Sequence, residues 1–207
     1  MKMISWRKIR DEIKNHAARY TIAVSGGVDS IFLLDFIRKI DGLDFIVAHF
    51  NHKMRNDEEH NKDYVLVRDI CRKYDLDFYY GEGKDITSEK EARDQRYAWL
   101  TSIAPDRKIV TAHHLNDQIE TIFLRLVRGI PHYSLTMKKD NGFVYRPFLE
   151  IPKSEIIKQA KRFNLKWNED STNECNDFER NHLRNVIIPE FMKFRNIEKS
   201  MSNALKG

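Results

Sequence analysis

Three short apolar runs are each followed at once by residues that could do chemistry. "YTIAV" (20–24) leads into "SGGVDS", "DFIVAHF" (44–50) ends in "HFNH", and "KIVTA" (108–112) leads into "HHLNDQ". If the runs are strands of one sheet, they deliver Ser25, Asp29, Ser30, His49, Asn51, His52, His113, His114 and Asp117 to one edge. The first loop suits a phosphate. Gly26 and Gly27 let the backbone take φ > 0 and bring its amides close to a ligand. A helix starting near Val28 points its free N–H groups and partial positive charge into the same space. Ser25 and Ser30 add hydroxyl donors. Asp29 would repel an anion unless a cation sits between them, which points to Mg²⁺. The loop has no Gly-Lys-Ser/Thr and no G-x-G-x-x-G, so it matches neither common nucleotide fingerprint. The plainer reading is a tight strand-to-helix turn with a Ser or Asp cap.

The histidines admit two readings. Four imidazoles and a carboxylate in "HFNH" and "HHLND" could ligate zinc, although the H-E-x-x-H helical spacing is absent. Histidines donating to phosphate oxygens, with His49 and Asn51 beside the nucleotide, fit the phosphate loop better. Adjacent strand residues face opposite ways, so one of His113 and His114 is expected only to pack. Asp117 and Glu120 lie three apart at the start of a long helix and share one side of it. There they could bind Mg²⁺ or hold and deprotonate an amine; the plainer reading is dipole complementation on a solvated face.

These residues need a frame. The runs 20–24, 44–50, 77–81 and 108–112 alternate with helical patterns at 28–40, 58–74 and 88–104. The repeat predicts an α/β, doubly wound, mostly parallel sheet with right-handed crossovers and a ligand beyond the carboxyl ends of its strands. In the second helix Val65, Leu66, Ile70, Cys71 and Tyr74 are expected on the buried face, and in the helix after Ala112, Ile119, Ile122, Phe123, Leu126 and Val127. "FVYRPFL" predicts an edge strand ending at Pro147, 130–141 a loop, and 152–164 a helix. The polar stretch "NEDSTNECND" and further helical patterns complete the chain. The organisation expected is a nucleotide-binding α/β domain over 1–150 and a helical extension over 151–207.

Composition sets the bounds. The 207 residues are 41% apolar and 32% charged, ordinary for a globular domain with a sizeable core. No run is long enough for a membrane-spanning helix, and no membrane partner is expected. Two cysteines, Cys71 and Cys175, make no disulfide framework, so a reducing cytoplasm is the expected setting. The net charge of +5 permits a polyanionic partner.

Taken together the motifs carry a resemblance. "SGGVDS" looks like the PP-loop of the ATP pyrophosphatases. With "HFNHKMR", "EARDQRYAWL", "TAHHLNDQIET", "LRLVRG", "RPFLEIPKSEI" and the late block "NEDSTNECNDFERNHLRNVIIPEF", nearly the whole chain resembles the catalytic domain of the tRNA(Ile)-lysidine synthetases. The resemblance implies ATP and Mg²⁺ as cofactors, and free L-lysine and an isoleucine tRNA with a CAU anticodon as substrates. Oxygen 2 of the first anticodon cytidine would be adenylated, and the lysine ε-amine would then displace AMP. The same resemblance implies catalytic roles for Asp29, His113, Asp117, Glu120 and Arg93. Arg96, Arg128, Arg180, Arg184 and Asn185 would contact lysine or tRNA.

The sequence also departs from that family. Pro131, His132 and Tyr133 stand where glycines usually follow L-x-R-G, which changes the loop. Many members carry further C-terminal domains that grip the tRNA acceptor arm. This sequence therefore suggests a shortened chain, or a variant relying on the anticodon loop and a mildly basic surface. Trp99, Tyr133, Tyr145 and Trp167 could stack on bases or simply pack in the core. Whether the chain forms a homodimer is left open. Competing readings are a tRNA base thiolase, which would be expected to show paired cysteines, a non-catalytic tRNA-binding relic, and a zinc hydrolase.

Overall fold

A parallel five-stranded sheet with strand order β3-β2-β1-β4-β5 organises the molecule. In this computed structural model residues 4–53, 57–169 and 179–205 are described. The strands are β1 (Arg19–Ala23), β2 (Asp44–Asn51), β3 (Phe78–Glu82), β4 (Lys108–Val110) and β5 (Val144–Tyr145). All four pairings are parallel, with Thr21 opposite both Ile46 and Ile109 in the central register. The chain winds outward from β1 to β3, then returns across the sheet to β4. The order therefore reverses between β1 and β4, opening a crevice at their carboxyl ends.

The expected helices are present with shorter ends: α2 (Val28–Ile37), α3 (Asp57–Lys73) and α4 (Glu89–Ile103), preceded by α1 (Trp6–His16). Ser88 caps α4 by accepting from the Glu91 amide. Helix α2 has no polar face: Ile31 through Ile37 are all buried, and Asp35 among them is paired with Arg38 and Lys39. Such a helix must be covered on both sides. One side meets the sheet; Trp6, Phe36 and Phe148 pack against Phe32, the Trp6 ring edge-on at 5.3 Å. Helix α6 (Lys153–Arg162) packs on α2, burying Ile156 and Ala160 in the same core cluster.

Two buried stripes differ from the periodic expectation. In α5 (Leu115–Val127) Ile119 and Ile122 are buried, but Leu126 and Val127, in its last turn, are 55% and 79% exposed. In α3 the deepest residues are Val67 and Cys71, while Tyr74 lies 36% exposed under the Arg38 guanidinium. The 130–141 segment is a loop that is tied down. His132–Ser134 form a 3-10 turn, Arg125 donates to the carbonyls of Ser134 and Thr136, and Gln118 clasps both backbone groups of Met137. Tyr145 is core, and Trp99 fills the space beside Gly81.

Beyond α6 come α7 (Glu179–His182), a π-helical turn over Leu183–Ile187, α8 (Ile188–Met192) and α9 (Ile197–Ala204). Most of "NEDSTNECND", including Cys175, lies outside the described residues. Among the described residues no helix is long and apolar enough to cross a membrane.

Candidate active site at the phosphate loop

The loop after β1 is built for close approach. Gly26 has φ +101°, and a Cβ there would lie 2.5 Å from Asp63 Oδ1 of α3. Its carbonyl accepts from the Asn168 amide at 3.1 Å, and Asn168 Nδ2 donates to Asp63 Oδ1 at 2.8 Å. Ser30 ties the loop from within: its Oγ donates to Gly27 O at 3.0 Å and accepts from the Ser25 amide at 3.1 Å. Gly27 caps α2 without a side chain, leaving the helix end open to a ligand.

His114, which ends the segment after β4, is the N-cap of α5. Its Nδ1 accepts from the Asp117 amide, and the Asp117 carboxylate accepts from the His114 amide at 3.0 Å, a reciprocal capping box. The imidazole also faces two carboxylates, with Nε2 3.4 Å from Asp29 Oδ2 and Nδ1 3.4 Å from Asp117 Oδ2. Burial alone would lower its pKa, but Asp117 and Asp29 together raise it above the ordinary value. The expectation that one of the two histidines merely packs is corrected here. β4 ends at Val110, so residues 111–114 do not alternate as a strand does, and both imidazoles have polar partners.

Asp29 has its two oxygens in different states. Oδ2 faces His114 and Lys153, the latter at 3.7 Å, whereas Oδ1 is buried without a hydrogen-bond partner. A single unpaired carboxylate oxygen beside a phosphate loop fits a Mg²⁺ that takes its other ligands from phosphate and water. Among the described residues no group of three His, Cys, Asp or Glu is arranged to hold a metal, so the zinc reading finds no support.

Asp117 and Glu120 do not lie on a solvated face. Glu120 is 1% exposed and accepts from Arg184 Nε at 2.7 Å, Arg184 NH2 at 2.9 Å and Arg180 Nε at 2.7 Å. Asp117 accepts from Arg180 NH2 at 3.3 Å. Burial would raise the Asp117 pKa; His114, His113 and Arg180 outweigh it and set the value at about 2. Three donors nearly saturate Glu120, so Asp117 keeps more acceptor capacity for a ligand. A small cavity opens beside Glu120, lined by Glu120, Arg184 and Lys153 together with the apolar side chains of Ile119, Ile188 and Met192.

His113 belongs to a different neighbourhood. Its Nδ1 shares a 2.7 Å hydrogen bond with Thr111 Oγ1. Burial lowers its pKa to about 3, Asp117 opposes this, and Arg146, Arg96 and Arg93 add to it, so the imidazole is neutral near pH 7. The Arg93 and Arg96 guanidinium carbons lie 4.9 and 5.0 Å from the Tyr97 ring centre. Arg96 Nε, Arg146 Nε and Tyr97 Oη are buried with no hydrogen-bond partner. Clustered cations with unpaired buried donors are prepared for an anion. The nearby acids Glu91 and Asp94 have other partners: Glu91 accepts from the Thr87 amide and hydroxyl, and Asp94 accepts from Lys90.

The remaining expected residues are spread more widely. His49, 3% exposed, hydrogen-bonds Val24 O through Nδ1 at 2.8 Å and stacks near Tyr80. Asn51 accepts from the Lys53 amide at 2.8 Å and donates to Tyr80 Oη at 3.3 Å. Both support the β2 end of the crevice. Arg128, at the end of α5, pairs with Glu179 of α7, and Asn185 is exposed on the π-helical turn. Sequence reasoning missed Asp63, Asn168, Lys153 and Arg146. Only Lys153 carried a local signal, a cation in the first turn of a helix where the dipole disfavours one.

A phosphate loop at the switch point of a parallel sheet, with no phosphate-loop lysine in its own sequence, defines a PP-loop nucleotide-binding domain. The chain belongs to the PP-loop domain family, which it matches over residues 1–191. Within that family it is 39% identical over 179 residues to the tRNA(Ile)-lysidine synthase of Streptococcus mutans, covering 81% of this chain and 40% of that protein. It is 36% identical over 219 residues to the tRNA(Ile)-lysidine synthase of Mycoplasma mycoides, covering 93% and 54%. The chain thus spans about half the length of these curated relatives or less. Among solved structures, the U34-tRNA thiolase NcsA from Methanococcus maripaludis superposes with a TM-score of 0.74 over 97% of this chain and 77% of that one. NH3-dependent NAD synthetase from Campylobacter jejuni gives 0.52 over 99% and 93%. At 15% identity each, these two share the fold.

Proposed function

We propose that this chain carries the catalytic centre of a tRNA(Ile)-lysidine synthetase, joining free lysine to carbon 2 of the first cytidine in a CAU anticodon. The observation that carries the reading is the adjacency of two different sites: Asp29 at the phosphate loop and Asp117 beside Glu120, joined through one imidazole, His114.

In the first step cytidine oxygen 2 attacks the α-phosphorus of ATP, and the bond to the β-phosphate oxygen breaks with its electrons leaving on pyrophosphate. The amides of Gly26 to Ser30 and the open end of α2 face the charge that develops. Asp29 Oδ1 would hold Mg²⁺, which supplies positive charge to the departing oxygens. His113, neutral near pH 7, serves as a hydrogen-bond partner rather than a charge, and Arg93, Arg96 and Arg146 suit a phosphate of the tRNA backbone or of the adenylate.

In the second step the lysine ε-amine attacks carbon 2 and AMP leaves. Asp117 receives the incoming ammonium, with Arg180 and Arg184 keeping the carboxylates oriented. A carboxylate with a pKa of about 2 is a weak base. Its role is therefore to hold the ammonium, and the proton passes to solvent water before attack. The cavity walled by Ile119, Ile188 and Met192 suits the methylene stem of the amino acid.

The thiolase reading is weaker. The one cysteine among the described residues, Cys71, is buried in the core, where burial pushes its pKa to about 12, leaving no thiolate near neutral pH.

The test is ATP- and Mg²⁺-dependent transfer of radiolabelled lysine to an isoleucine tRNA bearing CAU. Labelling is expected with the wild-type chain, and none with Asp29→Ala or with a GAU-anticodon tRNA. Release of AMP and pyrophosphate without labelling would reject lysine as the nucleophile for this chain.

A further inference from the structure

The phosphate loop lacks the lysine that commonly completes such loops, yet a lysine reaches it from far along the chain. Lys153 Nζ lies 3.7 Å from Asp29 Oδ2, and its side chain is 37% exposed. It sits at the first position of α6, immediately after Pro152, where the helix has no side-chain cap. A cation there opposes the helix dipole, which disfavours it by about 0.3–1 kcal/mol.

The backbone around Lys153 is held with care. The Leu115 amide donates to Ile151 O at 2.9 Å, and the Lys153 amide donates to Asn116 Oδ1 at 3.0 Å. Asn116 is fixed in turn by donating to Glu198 Oε1 of α9 at 2.9 Å. The start of α6 is thereby bolted to the start of α5. As a result the beginnings of three helices meet through side chains: Asp29 in the first turn of α2, His114 capping α5 and Lys153 opening α6. Their N-terminal ends add partial positive charge on one volume, and Asp29 is the anion now facing it. With a divalent cation on Asp29, the ammonium of Lys153 would be repelled from that carboxylate and left to pair with an anion nearby.

We propose that Lys153 is the phosphate-loop cation of this protein, supplied by α6, and that it binds the β- and γ-phosphates of ATP and the pyrophosphate they become. As the bond between the α-phosphorus and the bridging oxygen breaks, the electron pair moves onto pyrophosphate, and the Lys153 ammonium offsets part of that charge without transferring a proton. The inference rests on the nucleotide half of the proposed function and is independent of whether lysine is the second substrate.

The experiment is calorimetric titration of the full chain, in Mg²⁺, with the α,β-methylene analogue of ATP, with pyrophosphate and with AMP. Lys153→Met is expected to weaken binding of the analogue and of pyrophosphate by about tenfold or more, the scale of one charge-assisted contact, and to change AMP binding less than about twofold. Lys153→Arg should restore most of the pyrophosphate affinity. Lys158→Met, on the same helix but 70% exposed and facing Glu155, should match wild type. Equal pyrophosphate binding by wild type and Lys153→Met would overturn the assignment while leaving the proposed reaction standing. A wild-type chain that binds the analogue but fails to transfer lysine would overturn the reaction and leave Lys153 to be judged by its own comparison.

Discussion

Arg184 grips Glu120 along both of its oxygens, Nε 2.7 Å from Oε1 and NH2 2.9 Å from Oε2, across 64 positions of sequence. Arg180 adds a third donor to the same carboxylate, so the helices after residue 178 are joined to α5 by a partly buried charge cluster. The joint fixes the position of the acidic pair.

Glu120→Ala should be the most destabilising single change in this cluster, because it removes three charge-assisted hydrogen bonds from two arginines. The expected loss is about 3–5 kcal/mol, read as a lower urea midpoint at unchanged slope. Arg184→Met leaves Arg180 on the carboxylate and should cost clearly less. The reverse order would refute Glu120 as the hub.

The two loop glycines should respond differently to the same change. Gly26→Ala meets both a φ of +101° and the Asp63 carboxylate, so a cost of about 1–3 kcal/mol and loss of nucleotide binding are expected. At Gly27 a Cβ meets only Ser25 Oγ at 3.8 Å, and Gly27→Ala should leave the melting temperature nearly unchanged. Equal effects at both sites would show that the loop is not held in this conformation.

Neighbouring histidines should titrate in opposite senses. His113 has its pKa lowered from 6.5 to about 3, so its contribution is intact above pH 6.5 and is lost as pH falls toward 3. The slope is at most about 1.4 kcal/mol per pH unit. His113→Gln should flatten that part of the stability profile. His114, with its pKa raised, contributes below pH 6.5 and fades as pH rises through its folded value. His114→Gln should therefore cost most on the acid side. Asp117 acts lower, its contribution fading as pH falls from 3.8 through about 2. Denaturant titrations from pH 8 to pH 4 separate the two histidines.

Arg96 should show a trade-off between stability and activity. Burial lowers its pKa, its Nε is unpaired, and its neighbours include Arg93. Arg96→Met should raise the melting temperature by about 2–4 °C, the equivalent of roughly 1 kcal/mol in a chain of this size, while tRNA-dependent AMP formation falls. A lower melting temperature would mean the guanidinium is structurally satisfied.

Much of the frame was legible in the residue pattern, because alternating apolar runs and helical periods depend on local propensity and on which face is buried. The four expected strands and the edge strand at "FVYRPFL" fall within one or two positions of those observed at most of their ends. Ser25 to Ser30 and the "HHLNDQ" segment stand out for the same reason: a parallel sheet sends every strand-end loop to one edge. Periodicity failed where burial has a non-local cause. Leu126 and Val127 continue the apolar stripe of α5 yet lie exposed in its last turn, and α2 is buried all round because α6 returns to pack on it.

The sequence alone determined the parallel α/β frame and the edge of the sheet where polar residues gather, since both follow from local order along the chain. Only the tertiary structure decided who meets whom. His114 bridges Asp29 to Asp117, Arg180 and Arg184 hold Glu120, and Asp63 with Asn168 backs Gly26. Lys153 stands by the loop that lacks its own lysine. Those partners lie up to 142 residues apart, 168 − 26, and no periodic pattern encodes them. They are set by the return of the chain across the sheet and by the packing of α6 to α9 over the crevice.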